Sequence, residues 1–189
     1  YGKVPPIDVI RDFPSVWNYL KEFNSKNNGS LERRYDKGSH WSNLRNCAYV
    51  KEFEKEKVIW SEIVFDSAFY YDVERLYPEA SSFIMTGNNL RYLVALLNSN
   101  ILTVAFRDFF AGGNLRGETF CYKKAYLELL PIPQIEKSEQ EPYEKLVDMT
   151  QAAYRGNQLE AARYFERMID ALVYELYFPE ELAEASISM

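Results

Sequence analysis

Met-Thr-Gly-Asn-Asn-Leu-Arg-Tyr-Leu-Val-Ala-Leu-Leu-Asn-Ser-Asn-Ile-Leu-Thr-Val-Ala-Phe-Arg, residues 85–107, is the stretch that decides the fold. Its apolar residues recur at i, i+3, i+4 and i+7, which predicts one face of an amphipathic helix: Leu90, Leu93, Val94 and Leu97. The side chains of Asn88 and Asn89 are the predicted N-caps. Asn98-Ser99-Asn100 interrupts the pattern, and a second apolar helix is expected from Ile101. We therefore expect the two helices to form the central hydrophobic layer on which the preceding strands and the following loops pack.

The segments before this helix pair favour strands, and the segments after it favour helices. Residues 57–65, 68–73 and 82–85 are rich in β-branched and aromatic side chains. In the tail, residues 142–154 and 159–176 carry helical apolar periodicity. The predicted fold class is α+β, with a mostly antiparallel sheet packed on the central helix pair and followed by a C-terminal helical hairpin.

The charges are distributed unevenly along the chain, whose formal net charge is −6. Residues 1–133 carry 17 basic and 16 acidic side chains, whereas residues 134–189 carry 5 and 12. The acidity therefore belongs to the tail, and the first part can present a basic face. We expect two domains with their boundary at residue 133, the tail packing on the first domain or on an upstream catalytic domain.

Composition also indicates the cellular compartment in which the protein works. Cys47 and Cys121 are expected to be free thiols in a reducing compartment. No apolar run reaches the ~18 residues that a bilayer-spanning helix needs. The chain begins at Tyr1 without a signal peptide, so we expect a piece of a longer cytoplasmic protein, with no membrane partner.

The sequence lacks the parts of common catalytic sites. His40 is its single histidine, so His-based metal sites and Ser-His-Asp triads are incomplete. It contains no Asp-x-Lys or Glu-x-Lys triplet and no glycine-rich phosphate loop. We therefore expect no catalytic residues, no metal ligands and no cofactor in this chain.

Residues 31–45 mix cations with Tyr, His and Trp and show no clean period. Such a mixture suits phosphate contact combined with stacking on bases. An equally weighted interpretation is a solvated loop whose Trp41 packs in the core. A second candidate is the loop 111–117, whose three glycines allow close approach of a ligand to the backbone.

The order of motifs resembles the TaqI-like C-terminal specificity domain of adenine-specific DNA methyltransferases and of Eco57I-like restriction–modification enzymes. The resemblance covers nearly the whole chain. It rests on these stretches: Trp-x-x-Leu-Arg at 41–45, Lys-x-Lys-Val-Ile at 55–59, Phe-Ile-Met-Thr-Gly at 83–87, Tyr-Leu-x-x-Leu-Leu-Asn-Ser at 92–99, Leu-Pro-Ile-Pro at 130–133, and residues 169–177.

The resemblance implies that an upstream domain binds S-adenosylmethionine and methylates adenine N6, with or without a restriction nuclease, while this chain recognises the DNA target. The implied partners are double-stranded DNA and that methyltransferase domain. A protein–protein docking module is the alternative, supported by the acidic amphipathic tail. The residues expected to contact DNA, chosen by their chemistry, are Arg33, Arg34, Lys37, His40, Trp41, Arg45, Asn114, Arg116, Lys123 and Lys124.

Overall fold

A computed structural model describes residues 8–37, 40–43, 47, 49–111 and 119–185. The chain divides into two compact units, Tyr1–Val50 and Lys51–Met189, called here the first and the second unit. Each is described by itself. The division at residue 133, which concerns function, remains a prediction.

The first unit contains helices α1 (Val9–Asp12) and α2 (Pro14–Lys26). The carboxylate of Asp8 caps α1 by accepting from the N–H groups of Ile10 and Arg11, at 3.1 and 3.2 Å. Pro14 occupies the first turn of α2, where a proline loses no helical hydrogen bond. The helix α2 leads into the loop that carries the predicted DNA contacts.

Two antiparallel sheets are seen in the described part of the second unit. Their strands are β1 (Lys57–Ser61), β2 (Ile63–Val64), β3 (Tyr70–Asp72), β4 (Ser82–Met85) and β5 (Phe120–Cys121). One sheet has the order β3-β1-β4, and the other pairs β2 with β5. The α+β class and the antiparallel pairing are confirmed.

The predicted strand over 57–65 is wrong in one respect, because the chain changes sheets at Glu62. The N–H of Glu62 donates to the carbonyl of Ser81 at 3.1 Å, on the side of β4. Its own carbonyl accepts from the N–H of Tyr122 at 2.8 Å, next to β5. The backbone of this one residue therefore joins the two sheets.

The central helices are α3 (Leu90–Asn98) and α4 (Asn100–Ala105), which is continued by a π-helical turn over Phe106–Phe110. The predicted interruption between two helices at Asn98-Ser99-Asn100 is confirmed, because α3 ends at Asn98 and α4 begins at Asn100. The Ser99 side chain caps α4 by accepting from the Leu102 N–H at 3.4 Å. The predicted side-chain cap of α3 is wrong, because Asn89 adopts a left-handed conformation (φ 56°) and its amide makes no capping bond.

None of the described helices is long and apolar enough by itself to cross a membrane. The helix α3 and the segment Asn100–Phe110 meet the length and composition criteria only together, and they are bent by 67° at their junction.

The tail forms α6 (Lys137–Arg155), α7 (Leu159–Tyr177) and α8 (Pro179–Glu184), preceded by the short α5 (Lys124–Leu127). The helix α6 begins five residues before the predicted start, because Glu136 and Glu139 form a capping box ahead of Pro142. The helices α6 and α7 pack together, and the Tyr143 hydroxyl donates to the Leu172 carbonyl at 3.1 Å.

The hairpin of α6 and α7 packs on α3 within the second unit. The Arg91 guanidinium and the Asp148 carboxylate lie 3.0 Å apart across the α3–α6 contact. The Asp170 carboxylate on α7 accepts from the backbone N–H of Asn100 at 2.7 Å, at the start of α4. The tail therefore shares one core with the central helices.

Candidate nucleic-acid interface

Asn24 holds the loop that follows α2. Only 7% of Asn24 is exposed, and its side-chain oxygen accepts from the N–H groups of Leu31 and Glu32 at 2.9 and 3.4 Å. The chain turns sharply there because Asn28 (φ 51°) and Gly29 (φ 70°) are both left-handed, a conformation that glycine adopts without steric cost. Asn24 thus ties the start of the loop, at Leu31 and Glu32, back to the helix.

Arg34 and Lys37 are engaged by the loop itself. The Arg34 guanidinium donates to the carbonyls of Trp41 and Asn43, at 3.3 and 2.5 Å, and lies 3.9 Å from the Asp36 carboxylate. The Lys37 ammonium donates to the carbonyl of Glu32. These contacts favour a loop-fixing role for both side chains. Whether either also contacts DNA stays a prediction.

Arg33, next in sequence to Arg34, differs from it in surroundings. It is exposed and forms no ion pair with any described residue. Tyr35 is 91% exposed. A free guanidinium and an accessible phenol ring two residues apart are suited to phosphate contact and base stacking. The sequence identified Arg33 as a candidate but passed over Tyr35.

Trp17, His40 and Trp41 form an aromatic cluster. The ring centroids are 4.9 Å apart for Trp17–Trp41, 5.4 Å for His40–Trp41 and 5.9 Å for Trp17–His40. His40 Nδ1 accepts from the Ser42 N–H at 3.2 Å, which leaves Nε2 as the other ring position for a donor. Trp41 is half-buried, so one side packs on Trp17 while the rest remains accessible.

An open cavity of about 480 Å³ adjoins this cluster. The residues lining it are Trp17, Lys21, Asn24, Ser25, Gly29, Glu32 and Trp41. Two indole rings beside the Lys21 ammonium and the Glu32 carboxylate are suited to a planar, polar ligand. Sequence reasoning missed Trp17 and Lys21, although their i, i+4 spacing on α2 placed them on one face of the helix.

Lys123 and Lys124 lie in the second unit, where Lys123 is the N-cap of α5 and Lys124 is the first residue of that helix. The preceding Tyr122 is buried, and its carbonyl accepts from the Trp60 indole N–H at 3.2 Å. This anchor holds both lysines at the surface. The Lys124 ammonium lies 3.4 Å from Glu128, and the side chains of that pair are 76% and 63% exposed. Such an exposed pair is weak, so Lys124 can exchange its partner for a phosphate.

Three of the predicted contacts, Arg45, Asn114 and Arg116, lie outside the described residues. Lys57 cannot contribute to a basic face, because its side chain is completely buried in an ion pair with Asp72. The described part of the chain contains no group of three or more His, Cys, Asp or Glu side chains that could hold a metal ion.

A family model that describes the TaqI-like C-terminal specificity domain matches residues 17–132, which is more than half of the chain. No curated protein matches the sequence. The matched class is a specificity domain associated with DNA methyltransferases. The chain belongs to the family of TaqI-like C-terminal specificity domains. Family membership implies DNA binding and a linked methyltransferase domain.

Proposed function

We propose that this chain reads the DNA target sequence of an adenine-N6 methyltransferase and holds the duplex while the linked catalytic domain acts. The observation that carries the proposal is the family match over residues 17–132. A methyltransferase must take its target base out of the stack to reach the exocyclic amine. In this proposal the catalytic domain flips the adenine and binds S-adenosylmethionine, and the specificity domain fixes the register.

The charge distribution supports DNA contact by the first unit. Residues 1–50 carry 8 Lys and Arg against 5 Asp and Glu, a net charge of +3, whereas residues 51–189 carry 14 against 23, a net charge of −9. The first unit thus attracts phosphates, although the chain as a whole is acidic.

The described side chains suggest a division of tasks. Arg33 is suited to a phosphate or a guanine edge, and Tyr35 or the exposed side of Trp41 to stacking. Lys123 and Lys124 would add phosphate contacts from the second unit. Base-edge contacts in the major groove specify the sequence, while the phosphate contacts set the orientation.

Docking onto another protein is the second candidate function, and one observation favours it. The first unit exposes apolar side chains spaced along one side of α2: Phe13 (48%), Val16 (49%), Tyr19 (65%) and Phe23 (40%). An exposed apolar patch of this kind marks many interaction sites. Docking onto the methyltransferase domain and DNA reading are compatible when they use different surfaces.

A domain exchange tests the proposal. The 189 residues are replaced, in the full-length methyltransferase, by the specificity domain of a relative with another target, and the methylated sequences are mapped across a genome. We expect the methylated sequence to become that of the donor. An active hybrid that keeps the original target would show that the sequence is read elsewhere in the protein. The original domain, returned through the same cloning junctions, is the control for activity.

A further inference from the structure

The outward face of α7 carries a row of aromatic and apolar side chains as well as charged ones. The buried side of the helix is set by Ala162, Ile169 and Val173, which pack toward α6 and α3. The opposite side exposes a row of residues, called here the α7 stripe: Tyr164 (53%), Met168 (40%), Tyr174 (43%) and Phe178 (37%), with half-buried Ala171 at its centre.

The residues of the α7 stripe have the spacing that is typical of an interface between two helices. Its residues are separated by steps of four, three, three and four, which keep them on one face. An exposed apolar row of this kind marks many interaction sites. Ala171 at the centre is small enough to let a second helix approach closely, while larger side chains flank it symmetrically.

The charged residues beside the α7 stripe indicate which helix could pack against it. Arg167 is exposed four residues before Ala171, and Glu175, in the last turn of α7, is exposed four residues after it. Acidic groups at a helix C-terminus are unfavourable for the helix dipole. An antiparallel copy of α7 centred on Ala171 would bring Arg167 of each copy beside Glu175 of the other.

We propose that the α7 stripe is the interface of a two-fold dimer, in which α7 pairs antiparallel with α7 of a second copy across Ala171. A rotation about Ala171 places Tyr164 at the height of Phe178 and Arg167 at the height of Tyr174 and Glu175, in each half of the interface. Arg167 already lies over an aromatic ring, Tyr164, at 6.0 Å. A parallel pair would instead place Arg167 against its own copy and Glu175 against its own copy.

Charge reversal tests the pairing in the full-length protein, with sedimentation velocity over a range of protein concentrations. We expect a reversible dimer. Arg167→Glu and Glu175→Arg should each raise the dimer dissociation constant at least ten-fold, and the double variant should return it to within about three-fold of the parent. Lys145→Glu, a reversal at an exposed position of α6 (side chain 72% exposed), is the matched control and should leave it unchanged.

Cysteine cross-linking tests the antiparallel geometry. Ala171→Cys should cross-link to itself, and Tyr164→Cys should cross-link to Phe178→Cys in a mixture but not to itself. Self-linking by Tyr164→Cys would overturn the antiparallel arrangement.

Three other results would overturn the proposal. The first is a dimer that is insensitive to both single reversals, which would use another surface. The second is a double variant that fails to restore the dimer. The third is a protein that stays monomeric at every concentration. In that case hydrogen exchange on α7 would tell whether another part of the same protein covers the stripe.

Discussion

Lys57 and Asp72 form an ion pair in which both side chains are completely buried. They are direct partners across β1 and β3. The Lys57 ammonium also donates to the Phe53 carbonyl at 2.8 Å, and the Asp72 carboxylate accepts from the N–H groups of Glu74 and Leu76 at 2.8 and 2.9 Å. The pair therefore joins the sheet to the segments that precede β1 and follow β3.

Removing one charge of this pair should destabilise the second unit strongly. Lys57→Met should lower the free energy of unfolding by about 3–5 kcal/mol, because the Asp72 carboxylate stays buried without its cation. The double variant Lys57→Met, Asp72→Asn should recover part of this lost free energy, because the side chain buried at position 72 is then neutral. Urea unfolding measures both variants. A loss of less than about 1 kcal/mol for Lys57→Met would contradict the buried pair.

Arg33 and Arg34 are neighbours for which we predict different effects. Arg34→Ala should lower the melting temperature, because the carbonyls of Trp41 and Asn43 lose their donor. Arg33→Ala should leave the melting temperature unchanged and weaken DNA binding by about 1–3 kcal/mol at the preferred site. Lys26→Ala, an exposed cation of α2, controls for charge loss. Equal effects of Arg33→Ala and Lys26→Ala on DNA binding would contradict a specific role for Arg33.

The role of Trp41, in packing or in stacking on bases, can be determined by measuring both protein stability and DNA affinity for one variant. Its contact with Trp17 predicts that Trp41→Ala lowers the stability of the first unit, since an aromatic pair contributes about 0.5–1.5 kcal/mol beyond the burial of its area. Thermal unfolding followed by tryptophan fluorescence measures this, with Trp17→Ala as the reciprocal variant. A loss of DNA affinity at an unchanged melting temperature would instead assign Trp41 to stacking on bases.

The sequence predicted the elements whose apolar pattern is long, and it missed those fixed by contacts from distant residues. The break at Ser99 and the tail helices were predictable because each depends on local spacing. The strand change at Glu62 depends on Ser81 and on Tyr122, 60 residues away in sequence, so local periodicity could not indicate it. For the same reason local sequence could not indicate the burial of the Lys57 side chain, which depends on Asp72.

The candidate interface was predictable by composition but not residue by residue. Residue type alone gave Arg33 and Arg34 the same weight, whereas in the structure Arg34 donates to the carbonyls of Trp41 and Asn43. Trp17 was missed because its contact partner, Trp41, is 24 residues away on the other side of a turn.

Alkaline pH should destabilise the second unit. Burial, with a smaller contribution from Glu56, raises the pKa of Tyr71 to about 12, and burial alone raises the pKa of Tyr177 to about 12. The unfolded chain loses these phenol protons near pH 10. The stability that these two protonated phenols contribute is therefore fully present below about pH 10. It is lost as the pH rises from about 10 to 12.

Phenylalanine variants test the origin of this loss. The free energy of unfolding, measured by urea at successive pH values, should fall less steeply for Tyr71→Phe and Tyr177→Phe than for the parent. Tyr35→Phe, at a position that is 91% exposed, is the control and should show the parent slope. A parent stability that is independent of pH from about 10 to 12 would contradict the raised pKa values of Tyr71 and Tyr177.

The most direct test of DNA recognition is a salt titration of duplex binding by the full-length protein. The logarithm of the affinity should fall linearly with the logarithm of the salt concentration, with a slope of about −0.9 for each phosphate contacted. The double variant Lys123→Ala, Lys124→Ala should flatten that slope by about 1 to 2 and weaken binding to all sequences alike. Lys137→Ala, Lys145→Ala, which removes two exposed lysines from α6, should keep the parent slope. A parent slope near zero, or equal slopes for both double variants, would contradict the account.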